Sequence, residues 1–145
     1  IRMSMSFFNI LVESYSKVNI HDSERQVVHA PSSKSFYNDK DELENRLLVP
    51  IHVENFDKKF KNDWAYVGKG GSGGIKTRYG DFGNWLKDNP DTHIEAPLVG
   101  VDTDGNMSFT NGRHRYAYLR DNGVSHIPVS LSHSDYQNAV KHNLV

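Results

Sequence analysis

The sequence predicts a single α+β domain, a small mixed sheet flanked by short helices. Three observations carry that expectation. The chain has 145 residues, about one domain by length. Sixteen aromatic side chains (7 Tyr, 7 Phe and 2 Trp) supply bulky core material that a disordered chain lacks. The last third alternates short strand-like and helix-like segments separated by turn residues. Only 37% of residues are hydrophobic, so the core is expected to be modest and the loops long and polar. A core at 47–131 is expected, with an N-terminal extension at 1–46 and a closing helix at 132–145.

Composition removes several function classes. Lys and Arg number 17 against 18 Asp and Glu, a net charge of -1 that rules out a wholesale basic coat for nucleic acid. There is no Cys, so disulfides, thiolate-held zinc and thiol chemistry are excluded. No apolar run reaches the ~18 residues of a membrane span. Phe7–Val12 is apolar but short and preceded only by Arg2, which suits a core element better than a signal peptide. A cytoplasmic protein with no membrane partner is expected.

Taken in order, Phe7–Val12 fits a helix or a buried strand, and Gln26–His29 a short strand. Pro31–Phe36 is turn-like, and Asp41–Leu47 reads as a short helix with acidic residues in its first turn. Leu48–Val53 alternates as a strand, with Pro50 marking an edge or a bulge. Glu54–Lys61 places Phe56 and Phe60 on one helical face. Gly68–Gly74 holds five glycines in seven residues and predicts a mobile loop. Arg78–Asp88 is a helix with Tyr79, Phe82 and Leu86 on one face, weakened by Gly80 and Gly83 and ended by Asn89-Pro90. Pro97–Val101 and Met107–Phe109 form a hairpin about Asp102–Asn106. Asn111-Gly112 opens a helix that runs to Asn122 and stops at Gly123. Ile127, Val129 and Leu131 alternate as a strand, whose Pro128 argues against a fully paired central position. Ser134–Asn143 closes the chain as a helix.

One segment carries chemistry. In Thr110-Asn111-Gly112-Arg113-His114-Arg115, a strand passes through a glycine turn into a helix start. The first helical turn leaves backbone N–H groups unpaired at the positive pole of the dipole, a place for an anion. Arg113 and Arg115 bring forked donors suited to phosphate, and His114 a donor or a base near neutral pH. Gly112 permits close approach, and Asn111 is suited to cap the helix. Cations at this pole are otherwise disfavoured, so a bound anion is the natural compensation.

The run PLVGVDTDGNMSFTNGRHRYAYLRDNGVSHIPVSL, from Pro97 to Leu131, resembles the ParB/sulfiredoxin superfamily. The shared order is strand, turn, strand, a Gly-x-His-Arg or Gly-x-Arg-Arg box opening a helix, then Gly, then a strand containing Ile-Pro-Val. LVPIHVENF at Leu48–Phe56 is similar to the superfamily's earlier strand. The resemblance implies a compact domain whose box, here Gly112, Arg113, His114 and Arg115, cradles nucleotide phosphates. ATP or CTP, with Mg bridging the phosphates, is the implied cofactor. Sulfiredoxin chemistry needs a cysteine in the box, and this chain has none. The helix-turn-helix module of the partition proteins is not expected in the few residues that follow Ile127 here. Kinase-like members often carry Asp where Asn111 stands, and Asn cannot act as a carboxylate base. By analogy, compact stand-alone domains of this kind suit phage or mobile-element genomes.

The glycine-rich loop, which has no Walker A spacing, reads as a flap closing over a ligand with Lys69 or Lys76 touching phosphate, or as a flexible connection. Between Asp57 and Gly80 six cations face two anions. Glu54, which resembles the acidic residue that takes part in catalysis in the kinase-like relatives, is the candidate general base or metal-side carboxylate, and His114 is the other catalytic candidate. The histidines show no metal-ligand spacing, so no metal site is expected. Trp64, Tyr66 and Trp85 are expected to pack in the core, with stacking on a base as the alternative. The expected function is nucleotide or phosphate binding, with phosphoryl transfer or nucleotide hydrolysis. The alternatives are a non-enzymatic module for nucleic acid or a host protein, and thirdly a nuclease.

Overall fold

The structure, a computed structural model, describes residues 16–29 and 46–145. The expected segments Phe7–Val12 and Pro31–Phe36, and residues 41–45 of the expected helix, lie outside the described residues. Leu47 opens a strand.

The described residues form two small sheets and four α-helices, an α+β fold. Strands β1 (Lys17–Ile20) and β2 (Ser23–Val28) make an antiparallel hairpin about His21-Asp22. Both turn residues have positive φ, 51° and 61°, the geometry of a two-residue hairpin turn. β2 also pairs in parallel with β4 (Ile94–Glu95). The second sheet has the order β3-β7-β5-β6, from β3 (Leu47–His52), β5 (Leu98–Val101), β6 (Met107–Asn111) and β7 (His126–Leu131). The helices are α1 (Val53–Phe60), α2 (Lys76–Asp88), α3 (Arg113–Asp121) and α4 (His133–Lys141). The extension at 1–46 thus contributes two strands to the fold. Arg25, buried on β2, donates to the carbonyls of Leu86 and Thr92, where a cation suits the C-terminal end of α2.

β7 lies inside its sheet, between β3 and β5, contrary to the expectation from Pro128. The reason is alternation. In the antiparallel register Pro128 stands opposite Pro50. On that same parity the His52 amide points away from β7, to the Leu144 carbonyl (2.7 Å), and the Ser130 amide points to the Pro97 carbonyl (2.8 Å). Both proline nitrogens therefore face out of the β3–β7 ladder, where no donor is needed. β3 is an edge strand, as Pro50 predicts. Residues 127–131 are all buried, so β7 is covered on both faces.

Phe56 and Phe60 share the buried face of α1, as their spacing predicts. They meet Phe109 of β6 and Tyr116 of α3 in an aromatic cluster with ring centroids 4.8 to 5.8 Å apart.

Beside that cluster lies a charged one. Arg120 of α3 donates from Nη1 to Asp57 Oδ1 (2.9 Å) and from Nε to Asp121 Oδ1 (3.0 Å). The three side chains are only 11, 14 and 13% exposed. Tyr116 and Tyr66 donate hydroxyls to the two oxygens of Asp57, at 3.3 Å each. Tyr79 (2.7 Å) and the Gly70 amide (2.9 Å) donate to Asp121 Oδ2. Burial alone would raise the Asp121 pKa, but the bonds from Tyr79, Arg120 and Gly70 outweigh it and hold it below the ordinary carboxylate value. Burial and the same carboxylate push the Tyr79 phenol up to about 12.

The glycine run is accordingly a pinned turn, where a mobile loop was expected. Lys69–Gly71 forms one 3₁₀ turn, anchored through Gly70 to Asp121, with Gly71 against the Tyr79 ring.

Breaking this cluster should be costly. Arg120→Met leaves two buried carboxylates without their cation, and a loss of about 3 kcal/mol is expected in urea unfolding. Because the Asp121 pKa is depressed on folding, its contribution is full above the unfolded carboxylate value. It fades as pH falls through the folded one, so the wild-type protein should lose stability there and Asp121→Asn should flatten that slope.

Candidate functional site: the amino-terminal end of α3

β6 does not run straight into α3. Val99 pairs with Phe109, but Leu98 pairs with Asn111, so a bulge takes up Thr110 and re-aims Asn111. Gly112 follows with φ 89° and ψ 16° and is the N-cap, with no side-chain cap. Asn111 thus ends the strand and does not cap the helix. Only glycine fits here. A Cβ would stand 2.8 Å from Pro97 Cα and 2.8 Å from Arg115 Nη2, in a backbone conformation that L side chains avoid. Among the described residues, the amides of Arg113, His114 and Arg115 donate no hydrogen bond, as the first helical turn dictates.

The three side chains of the box diverge. Arg113 Nη1 donates to the Ala65 carbonyl (2.8 Å), and Arg115 Nε to the Glu95 carbonyl (3.0 Å). Neither ends in an ion pair among the described residues. Arg115 Nη2 is buried with no hydrogen-bond partner. Burial lowers the Arg115 pKa and the nearby Glu95 carboxylate opposes it, but a guanidinium stays charged.

His114 is 8% exposed, and its Nε2 accepts the Ile75 amide at 2.9 Å. That bond needs an unprotonated Nε2, hence a neutral ring carrying its proton on Nδ1. Burial and the charges of Arg113, Arg78 and Arg115 all lower its pKa. The bond ties the box to the N-cap residue of α2. Gly74 lies alongside, where a Cβ would crowd Val67 and His114.

In front of the box is a hollow of about 290 Å³, lined by Arg78, Asp81, Phe82, Asn111, Gly112, His114 and Arg115. A second cavity of about 370 Å³ adjoins it through the shared Phe82 and Arg115, with Trp85, Thr92, His93 and Glu95 on its other walls. Phe82 and Trp85 stack at 6.0 Å and 18°, and Trp85 is 36% exposed. The groove therefore runs from a cationic end to an aromatic end, with Arg115 between them.

Asn111, Gly112, His114 and Arg115 line the hollow together. Arg113 belongs to the box but turns toward Ala65. Lys69 does not line it. Its turn is tied to Asp121, at the opposite end of α3, about 12 Å of helix away. Glu54 is also apart. The box adjoins Leu98, which is in register with Ser130 and so with the Leu47 end of β3, whereas Glu54 follows the far end of that strand. Arg78 and Asp81 are contributors that the sequence did not single out. Their i,i+3 spacing puts them on one face of α2, but only the docking of α2 beside α3 brings that face to the box. Among the described residues no group of three or more His, Cys, Asp or Glu is gathered to hold a metal ion, and no helix is long and apolar enough to cross a membrane.

Comparison of the chain with protein-family models, with curated proteins and with solved structures returned no match in any of the three.

The His114 bond has a pH signature. Its folded pKa lies below the unfolded value of 6.5, so its contribution is whole above 6.5 and is lost as pH falls through the folded value. His29, also lowered, adds a loss of the same sign. His114→Gln keeps an acceptor for Ile75 without the titration. Denaturation midpoints measured from pH 8 down to 5 should therefore fall less steeply in the variant than in the wild type.

Proposed function

We infer that the protein binds a nucleotide, with its phosphates in the hollow before Gly112 and its base against Phe82 and Trp85. The observation that carries this reading is Arg115. Its buried Nη2 lacks a partner and stands where the cationic hollow meets the aromatic cavity. A buried donor left unpaired costs free energy, and a phosphate oxygen would satisfy it with a charge-assisted bond. The amides at the start of α3, the helix dipole and Arg78 add to the same field. The similarity of the Gly112–Arg115 box to the ParB/sulfiredoxin superfamily supports the same ligand class.

The reading is of binding rather than turnover. Phosphoryl transfer asks for a base aimed at a nucleophile and for charge clamps on the leaving oxygens. His114 Nε2 is engaged by Ile75, and Glu54 follows the far end of β3. Asp81 is the one carboxylate among the described residues lining the hollow. A single carboxylate is a poor metal site by itself, so Mg would enter already held by the phosphates, with Asp81 beside it. A nuclease site gathering several carboxylates around metals has still less support here.

The test is thermal unfolding with a panel of ribonucleotides, with and without Mg. A ligand at a hundredfold excess over its Kd should stabilise the fold by about 2.7 kcal/mol, a rise of several degrees in Tm. Arg115→Ala should abolish the rise. Trp85→Ala should weaken the response to nucleotides and leave that to pyrophosphate unchanged. No shift with any nucleotide in either condition would overturn the reading.

A further inference from the structure

We propose that the turn carrying Trp64 is a stacking platform for single-stranded nucleic acid, separate from the hollow at α3. Trp64 is 92% exposed, whereas the other exposed large apolar side chains among the described residues (Ile75, Trp85, Val140 and Val145) are 36 to 48% exposed. Its ring belongs to no packed cluster. An indole so bare forgoes the burial that normally repays a large apolar side chain.

The exposure is built into a fixed turn. The Ala65 amide donates to Asp63 Oδ2 (3.1 Å), an Asx turn with Trp64 at its tip. The Tyr66 amide donates to the Asp63 carbonyl (3.2 Å). Ala65 is buried and its carbonyl holds Arg113, while the Tyr66 hydroxyl reaches Asp57. Both flanks of Trp64 are thus anchored, so little main-chain entropy remains to be lost when a ligand stacks there.

The chain on either side of the turn is rich in lysine. Lys58 and Lys61 are exposed at the end of α1, and Lys59 is half-buried beside them. Lys69 is exposed on the glycine turn, where Gly68 lies against the Tyr66 ring. Of the nearby carboxylates, Asp57 is paired with Arg120, Asp63 closes the Asx turn, and Glu54 sits at the other end of α1. A flat apolar face within a lysine field matches a base attached to a phosphodiester backbone. The strand must be single, because a duplex hides its base faces in the stack. An anionic bilayer suits the turn less well, because interfacial anchoring needs a broad apolar face, whereas Lys61, Asn62 and Asp63 precede Trp64 and the apolar Ala65 and Val67 that follow it are buried.

The experiment uses Trp85→Phe, which leaves Trp64 as the sole tryptophan, titrated with oligo(dT). Its fluorescence should be quenched, and the affinity should fall as salt rises. Trp64→Ala in the wild-type chain, followed by anisotropy of labelled oligo(dT), should bind roughly 5- to 100-fold more weakly. Its melting temperature should be unchanged. Arg115→Ala should retain oligo(dT) binding, so failure of the nucleotide site and failure of this one are separable. The proposal is overturned by no quenching at low salt, or by equal affinity in Trp64→Ala. It is overturned too by equal binding of duplex DNA, or by quenching with phosphatidylserine vesicles but not with oligo(dT).

Discussion

Arg120 between Asp57 and Asp121 is the interaction on which the arrangement depends. One guanidinium joins α1 to α3, and Asp121 extends the link to the glycine turn and to Tyr79 of α2. Exchanging a buried ion pair for well-packed apolar groups is often neutral or stabilising, so its value lies less in net energy than in specifying one arrangement. The two carboxylates keep their donors, and Arg120 both of its carboxylates, only when α1, α2, α3 and the glycine turn stand where they do, even though Arg120 Nη2 is left without a hydrogen-bond partner. Burial works against the Arg120 charge, yet the bonds to Asp121 and Asp57 more than compensate and raise its pKa. The tilted and edge-to-face rings of Phe56, Phe60, Phe109 and Tyr116 fill the space beside the charges.

The far end of α3 is the reverse case. There Arg113 and Arg115 end in no ion pair among the described residues, and the amides of the first helical turn donate no hydrogen bond among them. The guanidiniums are held by carbonyls, Arg113 by Ala65 and Arg115 by Glu95, so they are oriented without being neutralised. A site arranged in this way carries its field before any ligand arrives, which is what preorganisation means electrostatically. His114 fits that scheme as a neutral acceptor, since a proton there would add another positive charge to the same field.

Elements set by local chemistry were legible in the sequence. Phe56 and Phe60 declared the buried face of α1, Asn89-Pro90 the end of α2, and Asp102–Asn106 a hairpin turn that Asp102 closes by accepting the amides of Asp104 and Asn106. The Gly112–Arg115 box stands at a strand-to-helix junction, as its pattern indicates. Features set by long-range pairing were not legible. β1 is a four-residue strand whose turn, His21-Asp22, lacks the usual Asn-Gly or Asp-Gly signal. β4 is two residues long and exists only because β2 lies beside it. Nothing local marks Asp57, Arg120 and Asp121 as partners, since no spacing reveals that residues 63 positions apart will meet. Trp64 and Trp85 both read as core residues, and the fold leaves the first almost wholly in solvent.

The facing prolines have a consequence for how this protein behaves in company. Among the described residues β3 is the margin of its sheet, and such margins recruit strands from other chains. Along its outward row, Pro50 offers no donor and the His52 donor is already spent on the carbonyl of Leu144. An incoming strand would find two of three successive positions unable to lock it in register. The same residues that let the sheet close internally thus discourage intermolecular propagation, and crowded copies of the folded chain are guarded against fibril-like growth along that border.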